Sequence, residues 1–121
     1  MRYICLVHFK PEDLRRLNPQ ERATLDRNSG AYDRELVAAG HMIVAEALRP
    51  PQEARIVRVR EGKISATDGP FTETKEVLGG FILIKAADME EAVRIAAGIP
   101  LAKFGSIEVR PVMIFDAPPA E

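Results

Sequence analysis

The amino-acid sequence predicts an α+β fold, in which one antiparallel β-sheet carries two α-helices on one face. Apolar segments of strand length alternate with two segments of helical period. Each helical segment opens with a capping sequence and closes near a glycine. A chain of 121 residues has room for a single hydrophobic core. We therefore expect one domain over residues 1–116, followed by a frayed tail over residues 117–121.

The first strand is predicted over residues 2–9. This segment is a nearly continuous apolar run, which is typical of a central strand covered on both faces. It contains the only cysteine of the chain, Cys5, so no internal disulfide can form. We expect Cys5 to be a buried and unreactive thiol.

The first helix is predicted to begin after Asn18 and to run to about residue 39. Asn18 is an N-cap residue, Pro19 suits the first helical position, and Glu21 completes a capping box. Gly40 can adopt the left-handed conformation that ends a helix. The buried stripe of this helix is expected at Leu25, Ser29, Tyr32, Leu36 and Ala39.

The second helix is predicted to begin after Asp88, because Glu91 follows three residues later in a second capping box. Gly98 and Pro100 end it. Its apolar stripe is expected at Met89, Ala92, Val93 and Ala96.

The remaining strands are predicted at residues 41–48, 55–60, 63–67, 80–84 and 106–115. Glu61 and Gly62 provide a tight turn between the second and third of these segments.

The predicted elements follow the order β, α, β, hairpin, β, α, β. This order predicts a ferredoxin-like sheet with an additional strand. Two helices would cover only one face of this sheet. The other face would expose apolar side chains such as Val112 and Ile114, a patch too large for a soluble monomer. We therefore expect a homodimer whose two sheets stack into a shared barrel.

The charge balance excludes several classes of partner. Lys and Arg number 17 against 18 Asp and Glu, so the formal net charge is −1 and provides no field for nucleic acid or an anionic membrane. Arg58 and Arg60 alternate with valines and lack interleaved aromatic side chains, so we do not expect nucleic-acid binding. No apolar run approaches the length of a membrane span. We expect a cytoplasmic protein.

The segment from Asp68 to Phe71 is the strongest indication of a functional site. Asp68, Gly69 and Pro70 form a reversal, and a polar connection follows that is longer than a hairpin loop needs and ends at residues 79–80. Such a loop is expected to cover or line a site. We predict Asp68 as a general base and Phe71 as a substrate-binding residue, although Asp68 could instead bind the backbone of its own turn.

Four further residues are candidates for the same site. Glu108 and Arg110 share one face of the last predicted strand and are predicted substrate-binding residues. Glu108 could act as the general base in place of Asp68, and Arg110 could hold a carboxylate or enolate oxygen. They could equally neutralise charges on a neighbouring strand. His8 could transfer protons, or it could be a hydrogen-bonded histidine at the rim of the core. Ser29, which interrupts the helical stripe, is a fourth candidate, as a substrate-binding residue.

No metal or cofactor is expected. Cys5, His8 and His41 lack the spacing of zinc ligands, and no glycine-rich nucleotide motif follows a strand.

Several of these segments resemble the DGPF or YCII-related proteins. The matching motifs lie at residues 68–71, 73–76, 78–81 and 108–112. The resemblance implies a dimeric α+β barrel and spans nearly the whole chain, although the family is mostly of unknown function. In YCII-type relatives a histidine on the first helix and an aspartate are proposed as a dyad. The first predicted helix has no histidine, so this chain departs from that pattern.

Two classes of function remain open, and the sequence does not decide whether the protein is an enzyme. One is a cleft that binds a small anionic or aromatic molecule, with acid/base chemistry of an isomerase, a lyase or a hydrolase. The other is a non-catalytic dimeric interaction domain. The resemblance links this second class to transcription through sigma factors of the extracytoplasmic-function class.

Overall fold

The structure is a computed structural model that describes residues 1–71 and 74–115. Its helices are α1 (Pro11–Arg15), α2 (Pro19–Ala38) and α3 (Met89–Ala97), with short 3₁₀ turns at Pro51–Glu53 and Pro100–Lys103. Its strands are β1 (Arg2–Phe9), β2 (Met42–Ala47), β3 (Arg55–Arg60), β4 (Lys63–Asp68), β5 (Val77–Lys85) and β6 (Gly105–Pro111). The frayed tail expected at residues 117–121 lies outside the described residues.

Four strands form an antiparallel sheet in the order β2-β5-β1-β6. Helix α2 lies in the connection from β1 to β2, and α3 lies in the connection from β5 to β6. The predicted α+β, ferredoxin-like class is therefore confirmed. Instead of adding a strand to this sheet, β3 and β4 pair with each other as a separate two-stranded sheet.

Alternation along β1 divides the four-stranded sheet into two unlike faces. Tyr3, Cys5 and Val7 are buried beneath the helices, where Ile82 and Ile84 of β5 join them. The predicted burial of Cys5 is confirmed, and burial raises the pKa of its thiol to about 11. We call this covered side the helix side and the opposite side the open face.

The open face carries apolar side chains that no helix of this chain covers. Ile4 and Leu6 of β1 pair with Leu83 and Phe81 of β5, and all four are only half-buried. The expectation that β1 is covered on both faces is thus not met within one chain, because both main helices pack on the helix side.

The first helical cap forms as predicted. The Glu21 amide donates to Asn18 Oδ1 at 2.7 Å, and the Asn18 amide donates to Glu21 Oε1 at 3.0 Å. Leu25 and Leu36 are buried as expected, whereas Ala39 is exposed beyond the last turn.

The second cap forms in a shifted version. The Glu91 amide donates to Asp88 Oδ1 at 2.9 Å, but the Glu91 carboxylate accepts from Ala87 rather than from Asp88. The predicted stripe of α3 is partly wrong, because Met89 and Val93 are exposed. The residues buried are Ala92, Ile95 and Ala96, whose spacing of three and four residues defines one helical face.

The last strand ends at Pro111, not at residue 115 as predicted. Proline has no amide hydrogen for a strand ladder, and one further backbone hydrogen bond follows it, from the Val112 amide to the Arg2 carbonyl at 2.9 Å. Ile114 consequently lies exposed beyond the sheet, and the apolar character of the open face comes from β1 and β5 rather than from Val112 and Ile114.

None of the helices in the described ranges is both long enough and apolar enough to cross a membrane.

Gly80 allows β2 and β5 to approach closely. A Cβ atom at Gly80 would lie 2.7 Å from the Glu46 carbonyl oxygen and 3.2 Å from Ala47 Cα. Because these neighbours are backbone atoms, they cannot rotate away from an added methyl group. We predict that Gly80→Ala lowers the free energy of unfolding by about 1–3 kcal/mol, as overpacking of a core does. Urea denaturation measures the change.

Gly30→Ala is the matched control. Gly30 lies inside α2, and an added Cβ atom would only reach the mobile end of the Arg34 side chain at 3.4 Å. Replacing glycine by alanine within a helix should raise the free energy of unfolding by about 0.5–1 kcal/mol. Equal effects of the two substitutions would contradict the close approach of β2 and β5.

Candidate functional site

A cleft of about 170 Å³ lies on the helix side, between α2 and the strands β2 and β5. We call it the helix-side cleft. Ser29, Tyr32 and Asp33 of α2 form one wall. The opposite wall comes from residues 45–47 of β2 and 79–82 of β5, with Val7 beneath and residues 99–101 at one end.

The glycine pair of β5 shapes this cleft. Side chains are absent at Gly79 and Gly80, where a Cβ atom would meet the Phe9 ring and the β2 backbone respectively. The long polar connection of the sequence therefore ends in a segment that lines a cavity. Leu48 completes the local backbone pairing by donating to the Gly79 carbonyl at 2.8 Å.

Asp33 is the acidic residue of this cleft whose carboxyl group has a shifted pKa. Partial burial raises the pKa of its carboxyl group above the ordinary value of 3.8, and the neighbouring Arg34 opposes that rise. Within the part of the chain that the structure describes, the Asp33 carboxyl group forms no ion pair or hydrogen bond with another side chain. It can therefore accept or donate a proton at a molecule in the cleft.

Tyr32 plays a different role from Asp33. Its hydroxyl group donates a hydrogen bond to the Ile95 carbonyl at 2.6 Å and so joins α2 to α3. Burial raises the pKa of this hydroxyl group, and the negative charge of Glu35 contributes in the same direction. Tyr32 therefore stays protonated, and its hydroxyl proton is engaged in the hydrogen bond to Ile95.

Ser29 and Asp33 are four residues apart and thus face the same direction from α2. Ser29 was among the predicted substrate-binding residues, and the structure places it in the wall of the helix-side cleft. Asp33 was missed by the sequence reasoning. The available signal was an acidic residue next to Tyr32, at the edge of the predicted apolar stripe.

Three other predicted site residues meet on the open face. His8 Nε2 lies 3.7 Å from Glu108 Oε1, and Arg110 Nε lies 4.0 Å from Glu108 Oε2. The register explains this arrangement, because Leu6 pairs with Glu108 and Ile4 with Arg110. We call His8, Glu108 and Arg110 the open-face cluster. It lies on the other side of the sheet from the helix-side cleft.

Within one chain, Asp68 and Phe71 lie neither in the helix-side cleft nor in the open-face cluster. Asp68 ends β4, its side chain is 84% exposed, and its Oδ1 atom lies 3.5 Å from Nε of Arg55, its cross-strand partner. Phe71 is also exposed, with the Arg58 guanidinium 5.8 Å from its ring centroid. Because the hairpin forms its own sheet, Asp68 does not share a cavity with Glu108 and Arg110 in this chain. Its role as a base stays a prediction.

Among residues 1–71 and 74–115, no group of three or more histidine, cysteine, aspartate or glutamate side chains is arranged to hold a metal ion.

The fold defines the class of this protein: a ferredoxin-like α+β chain with one helix-covered and one uncovered sheet face. Comparison with known proteins then shows its family. The chain belongs to the YCII-related domain family, whose model matches residues 1–116.

Two individual proteins are similar to this chain. An uncharacterized protein of Rhizobium meliloti (strain 1021) is 38% identical over 91 residues, which cover 74% of this chain and 73% of that protein. The 5-chloro-2-hydroxyhydroquinone dehydrochlorinase TftG of Burkholderia phenoliruptrix AC1100, solved in complex with 2,5-dihydroxybenzoquinone, superposes with a TM-score of 0.57. That alignment covers 93% of this chain and 94% of TftG at 18% sequence identity. The similarity to TftG shows a shared fold.

The raised pKa of Asp33 predicts a specific pH dependence of stability. The folded chain retains the Asp33 proton at pH values where the unfolded chain has released it. The unfolded state therefore binds fewer protons in this window, and the free energy of unfolding falls as the pH rises from 3.8 through the raised pKa. In Asp33→Asn this contribution disappears, so the variant should gain stability relative to the wild type as the pH rises.

Urea denaturation between pH 4 and pH 8, about the range in which a perturbed carboxyl group titrates, measures this effect. Asp26→Asn is the control, because Asp26 is exposed on the same helix. Its stability curve should keep the wild-type shape. Parallel curves for Asp33→Asn and the wild type would show that Asp33 is not withdrawn from water.

Proposed function

We propose that this protein binds a small hydroxyl-bearing aromatic molecule in the helix-side cleft and that Asp33 exchanges a proton with it. One observation carries the proposal: a partly buried carboxyl group with a raised pKa lines an otherwise mostly apolar cleft that a serine of the same helix also lines. A titrating group placed in a cleft in this way is a candidate acid/base residue.

The size of the cleft suits one six-membered ring. Its volume is about 170 Å³, and a dry apolar cavity of about 150 Å³ in another protein is known to accept benzene. Val7, Ile82, Ile99 and Leu101 supply apolar walls for the faces of such a ring. Ser29 and Asp33 supply polar atoms on one side only, so a ring hydroxyl group would set the orientation of the ligand.

The charges of the cleft favour a neutral ligand over an anionic one. Among the described residues that line it, Asp33 presents an acidic side chain, whereas Glu46 pairs with Phe81 and so projects from the open face. None of these described lining residues is a lysine or an arginine, so an anion would meet the Asp33 carboxyl group without a cation to compensate it. Of the two ligand classes expected from the sequence, the aromatic one therefore fits this cleft better.

The chemistry we propose is proton transfer at the bound ring, as an isomerase or a lyase would require. A carboxyl group with a raised pKa can remove a proton from one ring position and return it to another. TftG, a dehydrochlorinase solved with a hydroxylated six-membered ring, supports this class of ligand for the shared fold. Hydrolysis, which the sequence left open, would need a positioned water in the same cleft.

We also propose that the protein is a homodimer. The apolar centre of the open face, formed by β1 and β5, is half-buried in one chain and would be covered if two sheets stacked. His8, Glu108 and Arg110 would then lie between the two sheets. Their roles, together with those of Asp68 and Phe71, stay predictions that concern the assembled dimer.

The alternative of a non-catalytic interaction domain has one supporting observation, the exposed apolar side chains of the β3–β4 hairpin. A sigma-factor partner and a cytoplasmic location both stay predictions.

Calorimetric titration with hydroquinone tests the proposed ligand class. Asp33→Ala removes a hydrogen-bonding carboxyl group, so we expect the dissociation constant to rise by about 10- to 100-fold, the usual loss for a charge-assisted hydrogen bond. Ser29→Ala should weaken binding less, because it removes a neutral hydrogen bond.

Asp26→Ala is the matched control on α2 and should bind hydroquinone as the wild type does. His8→Ala and Arg110→Ala distinguish the two faces of the sheet. Unchanged binding by Asp33→Ala together with lost binding by Arg110→Ala would place the ligand at the open-face cluster and contradict the proposal.

A further inference from the structure

A groove lies between helices α2 and α3, next to the helix-side cleft. Its volume is about 320 Å³, and we call it the interhelical groove. Charged side chains from both helices line it, with Glu35 on α2 and Glu91 and Arg94 on α3. The walls of the helix-side cleft are by contrast mostly apolar. Two unlike spaces thus adjoin each other beside α2.

Among the described residues, Tyr32 alone lines both the helix-side cleft and the interhelical groove. Ser29 of α2 lines the cleft, whereas Leu36, further along the same helix, lines the groove. On the other side, Ile95 of α3 lines the groove, and Ile99, just beyond that helix, lines the cleft. Both sides therefore pass from one space to the other at the level of Tyr32, which lies at the boundary.

Two contacts hold the Tyr32 side chain across the gap between the helices. Its hydroxyl group donates to the Ile95 carbonyl at 2.6 Å. Its ring lies against Gly98, the residue that ends α3, where an added Cβ atom would be 2.5 Å from Cζ and 2.7 Å from Cε1 of Tyr32. A residue without a side chain is therefore needed at this position to seat the ring. The ring reaches from α2 to α3 and is fixed at its far end.

We propose that Tyr32 is a specificity-determining residue, which closes the helix-side cleft toward the interhelical groove and limits the ligand to a single six-membered ring. The inference rests on the proposed function and adds the size of the ligand to it. With Tyr32 in place, the cleft has a volume of about 170 Å³. Two fused rings would need the space that the Tyr32 ring occupies, and a packed site accepts such added volume only with strain.

The same ring separates two chemical environments. If Tyr32 were smaller, the cleft would open toward Glu35, Glu91 and Arg94. A two-ring molecule with a hydroxyl group at each end could then place one hydroxyl group near Asp33 and the other near these charged side chains. A fused two-ring diol is therefore the probe on which the size of residue 32 has the largest effect.

Calorimetric titration with hydroquinone and with 2,6-dihydroxynaphthalene tests the size limit. The wild type should bind the two-ring diol about 10- to 100-fold more weakly than hydroquinone, the discrimination that a packed apolar pocket achieves. In Tyr32→Leu this preference should disappear or reverse, because leucine lacks the ring atoms that reach α3. Equal binding of the two ligands by the wild type would overturn the inference.

Tyr32→Phe is the matched control. It keeps the ring against Gly98 and removes the hydrogen bond to Ile95, so hydroquinone should remain the preferred ligand. Gly98→Ala is a second route to the same change, since its Cβ atom displaces the ring while Tyr32 itself is retained. Its preference for hydroquinone should fall as in Tyr32→Leu. If Tyr32 merely stabilised the fold, these variants would lose stability without a change in which ligand binds better, and that result would overturn the inference.

Crystals pressurised with xenon test the partition without either organic ligand, because xenon enters dry apolar cavities. In the wild type, xenon should stay on the cleft side of the Tyr32 ring. In Tyr32→Leu it should also occupy the space that the ring vacates. A wild-type crystal in which the ring has turned away and xenon lies between α2 and α3 would overturn the inference.

The xenon measurement also separates this inference from the proposed function. Xenon confined by Tyr32 in a wild type that does not bind hydroquinone would contradict the proposed ligand and support the partition. Hydroquinone binding that depends on Asp33, together with unchanged ligand preference in Tyr32→Leu and Gly98→Ala, would support the proposed function and overturn the role of Tyr32.

Discussion

The alternation of side chains along β1 is the constraint on which the rest of this structure depends. A strand sends successive side chains to opposite faces, so Tyr3, Cys5 and Val7 can be covered by helices while Ile4, Leu6 and His8 cannot. Because β1 lies between β5 and β6, its pairing register determines which residues of both neighbours lie on each face of the sheet. The helix-side cleft and the open-face cluster therefore lie on opposite sides of one sheet.

The helix-side cleft follows from a local absence of side chains. Gly79 and Gly80 leave room where α2 passes over β5, and the close approach of β2 closes the far wall. Asp33 is partly buried at the wall of this space, and that burial makes its carboxyl group harder to ionise than in solution.

Local signals in the sequence were sufficient for most elements, and long-range placement was not. The caps at Asn18 and Asp88 and the turn at Glu61 and Gly62 depend only on adjacent residues, and each formed close to where it was predicted. The short helix α1 was missed, although Pro11 at its start and the acidic residues of its first turn were signals for it.

The site was harder to predict, because the local sequence pattern around an acidic helical residue is the same whether a cleft or solvent lies beside it. Asp26 is exposed and pairs with Arg22, whereas Asp33 lines a cleft with the glycines of β5, which are more than forty residues away in the sequence. Asp68 attracted attention through its turn, yet its strand pairs outside the main sheet, and sequence patterns do not specify which strands join which sheet.

The most direct test of this account is the crystal structure of the protein soaked with hydroquinone. The account predicts a ring between α2 and β5, with a hydroxyl group within hydrogen-bonding distance of the Asp33 carboxyl group and its face against Ile82 and Val7. A ring bound instead on the open face, in contact with His8 or Arg110 and leaving the helix-side cleft to water, would contradict it.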